Sequence, residues 1–95
     1  MKPSELKAIL EDHHLWVESG HKQGKRANLQ GADLRGANLQ GAYLEGATFT
    51  TNFKKVRWFY NATFSEDQIA WVCLHPKFHE CADSLKWVKA EQLSA

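Results

Sequence analysis

From Ala27 the chain repeats every five residues. The units are Ala27-Asn28-Leu29-Gln30-Gly31, Ala32-Asp33-Leu34-Arg35-Gly36, Ala37-Asn38-Leu39-Gln40-Gly41, Ala42-Tyr43-Leu44-Glu45-Gly46 and Ala47-Thr48-Phe49-Thr50-Thr51. A period of five matches neither the α-helix at 3.6 nor the strand at 2.0. A helix would also be weakened by Gly31, Gly36, Gly41 and Gly46, each costing roughly 1 kcal/mol relative to Ala. A chain that turns every five residues does bring every fifth side chain to one axis. The period therefore predicts a β-solenoid in which each unit is one side of a coil.

The positions within a unit then take distinct roles. Leu29, Leu34, Leu39, Leu44 and Phe49 are expected to fill the axis. Ala27, Ala32, Ala37, Ala42 and Ala47 occupy a second inward position, too narrow for a larger side chain. Gly relieves the corner, where positive φ is needed. Asn28, Asp33 and Asn38 face outward and can bond nearby backbone, as Asn and Asp do in turns.

The tandem A-(D/N)-L-x-G units resemble the pentapeptide-repeat family. That resemblance implies four units to a square coil and coils stacked as a right-handed quadrilateral β-helix. Continuing the frame reaches Lys54, Phe59 and Phe64, and Ala62-Thr63-Phe64 restores the motif. Eight units from Ala27 to Glu66 make about two coils, separated by roughly 4.8 Å, the ordinary inter-strand spacing. The pattern lapses between Thr51 and Asn61. Lys54 falls on a central position, where a charge cannot sit on a dry axis. Moving the frame back by one offers Phe53 and Trp58 instead, so a bulge or looped side is expected there.

Two coils leave strand edges and an apolar axis exposed at both ends, which natural solenoids cover with caps. Residues 1–26 read as an N-terminal capping helix and connector. Leu6, Ile9, Leu10, His13, Trp16 and Val17 form an amphipathic stripe over 4–18, with Ser4 as N-cap and Gly20 as terminator. Residues 27–64 are the β-helix, and 65–95 a C-terminal helical cap, the whole being one compact domain. In that cap Ser65-Glu66-Asp67-Gln68 fits a capping box ahead of Ile69, Val72 and Cys73, and His75-Pro76 breaks the helix. Phe78, Cys81, Ala82 and Leu85 suggest another short helix, and Lys86-Trp87-Val88 fits either helix or strand. The runs Gly24-Lys-Arg-Ala-Asn-Leu and Ala62-Thr-Phe-Ser-Glu-Asp-Gln also resemble the two ends of small pentapeptide-repeat proteins from bacteria and their phages.

Charge and composition narrow the function. With 12 Lys+Arg against 11 Asp+Glu the net charge is +1, so no global field attracts or imitates nucleic acid. No run approaches the roughly 20 apolar residues of a membrane span, and no leader pattern is visible, which reads as a cytoplasmic protein with reduced Cys73 and Cys81. Cys73, His75, His79 and Cys81 place four soft ligands close together, yet their spacing is not that of a zinc finger or knuckle. The reading is no metal, with the thiols buried and the imidazoles on the surface. No phosphate loop, nucleophile elbow or carboxylate pair is present, and a rod filled with Leu and Phe has no room for a ligand-sized cavity. No cofactor and no enzymatic activity are expected.

What remains is a protein-interaction or structural module. Candidate contact residues are Lys54, Lys55, Arg57, Trp58 and Tyr60, which mix charge with aromatics, and Phe78 and Trp87 at the far end. Phe78, Trp87 and Val88 could also form the seam of a homodimer. Some members of the family imitate duplex DNA and act on topoisomerases, which requires an acidic stripe. Here residues 27–66 carry Asp33, Glu45 and Glu66 against Arg35, Lys54, Lys55 and Arg57, so mimicry of that form is disfavoured. The alternative is a small phage-type inhibitor of a host nucleic-acid enzyme or defence complex. Direct nucleic-acid binding through Lys54–Tyr60 ranks third.

Overall fold

Each unit ends in a tight turn, and the turns explain the glycines. The N–H of Ala32, Ala37, Ala42 and Ala47 donates to the carbonyl of Leu29, Leu34, Leu39 and Leu44 respectively, at 2.9–3.1 Å. The residue before each Ala is a Gly at φ of +70 to +81°, the signature of a type II turn. A Cβ added at Gly31, Gly36 or Gly41 would meet nothing within 4 Å, so conformation and not space selects Gly there. At the corresponding later corner Asn61 takes φ +62°, and Ala62 N–H closes the turn on Phe59. The outward Asn28, Asp33 and Asn38 each accept the N–H two residues on, at 3.1–3.2 Å.

In the computed structural model, which describes residues 2–89, the chain returns over itself every twenty residues. Parallel bridges join Asn28 to Thr48, Asn38 to Trp58 and Tyr43 to Thr63. Among the described residues only two segments reach strand length, β1 (Thr63–Ser65) and β2 (Lys86–Val88), paired in parallel with Phe64 opposite Trp87. Lys86-Trp87-Val88 is therefore strand, and it adds a third rung above Tyr43 and Thr63.

The interior is two layers deep. Leu29, Leu34, Leu39 and Leu44 form the first layer, each at most 1% exposed. Phe49, Phe53, Phe59 and Phe64 form the second. Here the expected frame is corrected. Lys54 is exposed, and Phe53 takes the axial place one residue earlier. A 3-10 turn over Thr51–Lys55 makes the shift, and Phe59 resumes the original frame, while the alternative Trp58 is only partly buried. The physical reason is the cost of burying an ammonium with no partner. Of the second inward positions, Ala27 and Ala47 are buried, whereas Ala32, Ala37 and Ala42 are only partly so.

The N-terminal helix, α1 (Pro3–Glu18), begins one residue before the expectation. Lys2 and not Ser4 is its N-cap, because Pro3 occupies the first helical position, where its fixed φ suits the helix and its missing N–H costs nothing. Ser19 C-caps the helix, with Gly20 and His21 both at positive φ beyond it. The connector then lies against α1 so closely that a Cβ on Gly24 would sit 2.3 Å from the Asp12 carbonyl oxygen.

The C-terminal cap is a succession of short elements: a 3-10 turn (Glu66–Gln68), α2 (Ile69–Val72), α3 (Phe78–Cys81) and a 3-10 turn (Ala82–Ser84), closed by β2. Ser65 N–H donates to Gln68 Oε1 at 2.8 Å, the reach-back half of the expected capping box. Of the expected stripe Val72 is buried, but Ile69 is 50% exposed and Cys73 is exposed, because α2 has one turn and turns Val72 and, in part, Trp71 to the core. The cap expected over 65–95 is seen as far as Lys89; residues 90–95 lie outside the described residues.

Candidate interaction surface

The way α1 is fixed to the first layer determines what surface is left. His13 is fully buried. Its Nδ1 accepts the N–H of Ala27 at 3.0 Å, and its Nε2 donates to the carbonyl of Glu45 at 2.7 Å. Those two bonds require the neutral Nε2–H tautomer. Burial holds the His13 pKa below its ordinary value, helped by the nearby Arg26 and His14 charges. Arg26 adds a bond from Nε to the Gly46 carbonyl at 2.5 Å, with its guanidinium 5.7 Å from the Trp16 ring centre. All of these contacts lie toward the corner formed by residues 27 and 45–46.

The opposite side of the first layer is consequently open to a groove of about 810 Å³ between α1 and the coil. Leu6 and Leu10 line its helix wall, and Ala37, Ala42 and Tyr43 its coil wall. Lys7, Arg35 and Arg57 stand around it. This corrects the expectation that no ligand-sized space exists. The interior is filled by Leu and Phe, and the space lies outside it, between α1 and residues 33–43.

Charges at the groove are mostly paired. Arg35 binds Asp33 through two nitrogens, each 2.9 Å from a carboxylate oxygen, and this holds the Asp33 carboxyl well below the usual range. Lys7 and Glu11 face each other at 4.0 Å. His14 stacks on Tyr43 with 4.2 Å between ring centres and meets Glu18 at 3.0 Å. Under the helix, Glu45 Oε1 and His14 Nδ1 are buried without a hydrogen-bond partner, and burial raises the Glu45 pKa.

The residues singled out from sequence are distributed as follows. Lys54, Lys55 and Arg57 are exposed, and Tyr60 is 41% exposed. Trp58 and Tyr60 lie on one outer face with nearly parallel rings, 6.1 Å apart at an interplanar angle of 6°. Phe78 and Trp87 are partly buried against the core, Trp87 lying 5.5 Å from Phe64. The four soft ligands are not brought together. His75 and Cys81 are buried, and Cys73 and His79 are exposed, so the expected split into buried thiols and surface imidazoles is half reversed. His75 has both ring nitrogens engaged, Nε2 with the Val56 carbonyl and Nδ1 with the Lys77 N–H. Among the described residues no group of three or more His, Cys, Asp or Glu is arranged to hold a metal.

Sequence reasoning missed the groove. Tyr43 and Arg35 occupy the variable outward positions of regular units, and only knowledge of where α1 docks brings them beside Leu6 and Leu10. No helix among the described residues is long and apolar enough to cross a membrane. The family model described as pentapeptide repeats (8 copies) matches residues 25–50, the stretch holding the most regular units. No curated protein and no solved structure matches the chain.

Proposed function

We propose that this pentapeptide-repeat protein is a non-enzymatic interaction module, a very short right-handed quadrilateral β-helix of about two coils that presents its outer surface to a protein partner. One observation carries the reading. Asn38 and Gln40 of the first layer give way to Trp58 and Tyr60 in the second, and Arg57 stands exposed over Ala37, with Lys54 and Lys55 close in sequence. Arg57 and Tyr60 are exposed and Trp58 is only partly buried, and aromatic and Arg side chains are the ones enriched at interfaces. The axis is filled by Leu and Phe, which leaves the exterior as the working surface.

A specific form of this function is a small phage-type inhibitor that occupies a host nucleic-acid enzyme or defence complex by surface contact in the cytoplasm. The basic flank of Lys54, Lys55 and Arg57 favours contact with an acidic protein surface over imitation of DNA. The test is capture from nuclease-treated bacterial lysate with the intact protein beside a Lys54→Glu, Lys55→Glu, Arg57→Glu variant. A partner held by the first and lost by the second is expected. No partner at any salt, with a stable dimer in light scattering, would sink the reading and leave a self-associating scaffold.

A further inference from the structure

We propose that the groove between α1 and the first layer receives an extended, acidic segment of a partner protein, which adds as a strand to the open edge at Asn38–Tyr43. This rests on the interaction-module reading and names the place and chemistry of contact. Along that edge the backbone has a direction. The carbonyls of Ala37 and Ala42 and the N–H groups of Leu39 and Leu44 pair with the second layer. Alternate residues turn their amides the other way, so those of Asn38 and Tyr43 face away from the second layer. Among the described residues neither N–H donates to a protein acceptor. At the neighbouring corner the same edge is already closed by His13 and Arg26.

An open edge beside an apolar wall is the arrangement that β-strand addition uses, with main-chain bonds for affinity and pockets for alternate side chains. Asn38 and Tyr43 lie on successive sides with the Gly41 corner between them, so the segment follows the corner as a further coil does, and about five residues reach roughly 17 Å, enough to meet both amides. Leu6 and Leu10 offer the contact for alternate apolar side chains. The charge of the occupant follows from what is left unpaired. Lys7 and Arg35 have carboxylate partners, whereas Arg57 is exposed and in no ion pair among the described residues, with Lys54 and Lys55 close in sequence. The surplus is positive, which favours an acidic segment. A second copy in an isologous contact would bring its own Arg57 to the same groove.

The probe is a labelled, end-blocked peptide of about eight residues alternating valine and aspartate. Expected are saturable binding, shifts of the Asn38 and Tyr43 amide resonances, and binding weaker by about tenfold for Arg57→Glu and for a valine–lysine peptide, with Lys22→Glu unchanged. No binding of the acidic peptide, or binding that leaves those two amides unmoved, overturns the proposal. So does a shift of the same amides with protein concentration alone, which assigns the edge to a second copy, or with an oligonucleotide. A lysate partner retained by Arg57→Glu and by Leu10→Arg, yet lost on reversing Lys54 and Lys55, sinks the groove and keeps the interaction module.

Discussion

The two layers of this molecule reach the same shape by different means. The first is built locally. Its four sides hold one Leu each, its corners turn at Gly, and Asn28, Asp33 and Asn38 bond backbone two residues away. The second layer keeps the axis but departs from the unit. A 3-10 turn replaces one side, Asn61 replaces a corner Gly, and four Phe replace four Leu. What the second layer lacks in local regularity it replaces by side chains that cross between layers. Asn52 Nδ2 donates to the carbonyls of Leu29 and Ala32 at 2.6 and 3.0 Å. Gln68 Nε2 donates to those of Leu44 and Ala47, both at 2.7 Å. The acceptors are equivalent, the first residue and the last of a corner turn. A carboxamide therefore stands in, twice, where no regular strand pairing is present.

If this contrast is right, the largest effect should come from the aromatic hub. The Phe53 ring lies 4.9 Å from Phe49, 5.1 Å from Phe59, 5.6 Å from Phe64 and 5.5 Å from His75. Phe53→Ala is expected to destabilise by about 3–5 kcal/mol in urea unfolding, since the ring touches every other member of its layer. Leu34→Ala, in the first layer, should lie nearer 2 kcal/mol, the lower end of the range for such truncations, because α1 and the groove leave its neighbours room to adjust. Equal costs would show that the layers share the load evenly and that Phe53 is no hub.

The carboxamides give the next comparison. Gln68 is 3% exposed and makes three bonds, two from Nε2 and one to Oε1. Gln68→Ala leaves the Ala47 carbonyl and the Ser65 N–H unsatisfied in a dry site and the Leu44 carbonyl with the Ala47 N–H alone, at a cost of about 2–3 kcal/mol. Asn52 is only partly buried, so water can take over its acceptors, and Asn52→Ala should cost about half as much. A larger loss at Asn52 would mean that the 3-10 turn itself depends on this side chain.

This difference also explains what could be read beforehand. The axial Leu residues, the corner Gly residues and the outward Asx bonds follow from a strict period, because each depends on residues within five positions. The lapse at Lys54 was itself legible, since an ammonium does not belong on a dry axis and moving the frame back by one puts Phe53 in its place. That Phe59 and not Trp58 follows it depends on how many residues a 3-10 turn absorbs, which no local pattern states. Gln68 was visible as half of a capping box, but its other end bonds residues more than twenty positions away. His13 was visible as a stripe residue, but its two backbone partners were not. The groove was the least legible, because it depends on where a helix of ordinary amphipathicity comes to rest.

Each layer is joined to its cap by one buried histidine, and pH should separate the two halves. His13 links α1 to the first layer, and His75 links the C-terminal cap to Val56 of the second. In both, one ring nitrogen accepts a backbone N–H, so a second proton would destroy that bond. Burial lowers both pKa values from 6.5, with Arg26 and His14 adding to the effect at His13 and Lys77 at His75. The unfolded chain then binds protons that the folded chain refuses, so stability is complete above about 6.5 and falls as pH drops below it. The slope is at most roughly 1.4 kcal/mol per pH unit for each histidine. Glu45 works in the opposite sense, its raised pKa giving stability that is lost as pH rises above 4.5. Single variants isolate the histidines from it. His13→Phe and His75→Phe should each be less stable at pH 7.5, for want of the two bonds, and each should show a flatter decline in melting temperature between pH 7 and 5.5. Because His13 is the more completely enclosed, its variant should flatten the decline more. If neither variant changes the slope, the imidazoles admit a proton while staying in place, and the joints between caps and layers do not depend on the neutral tautomer.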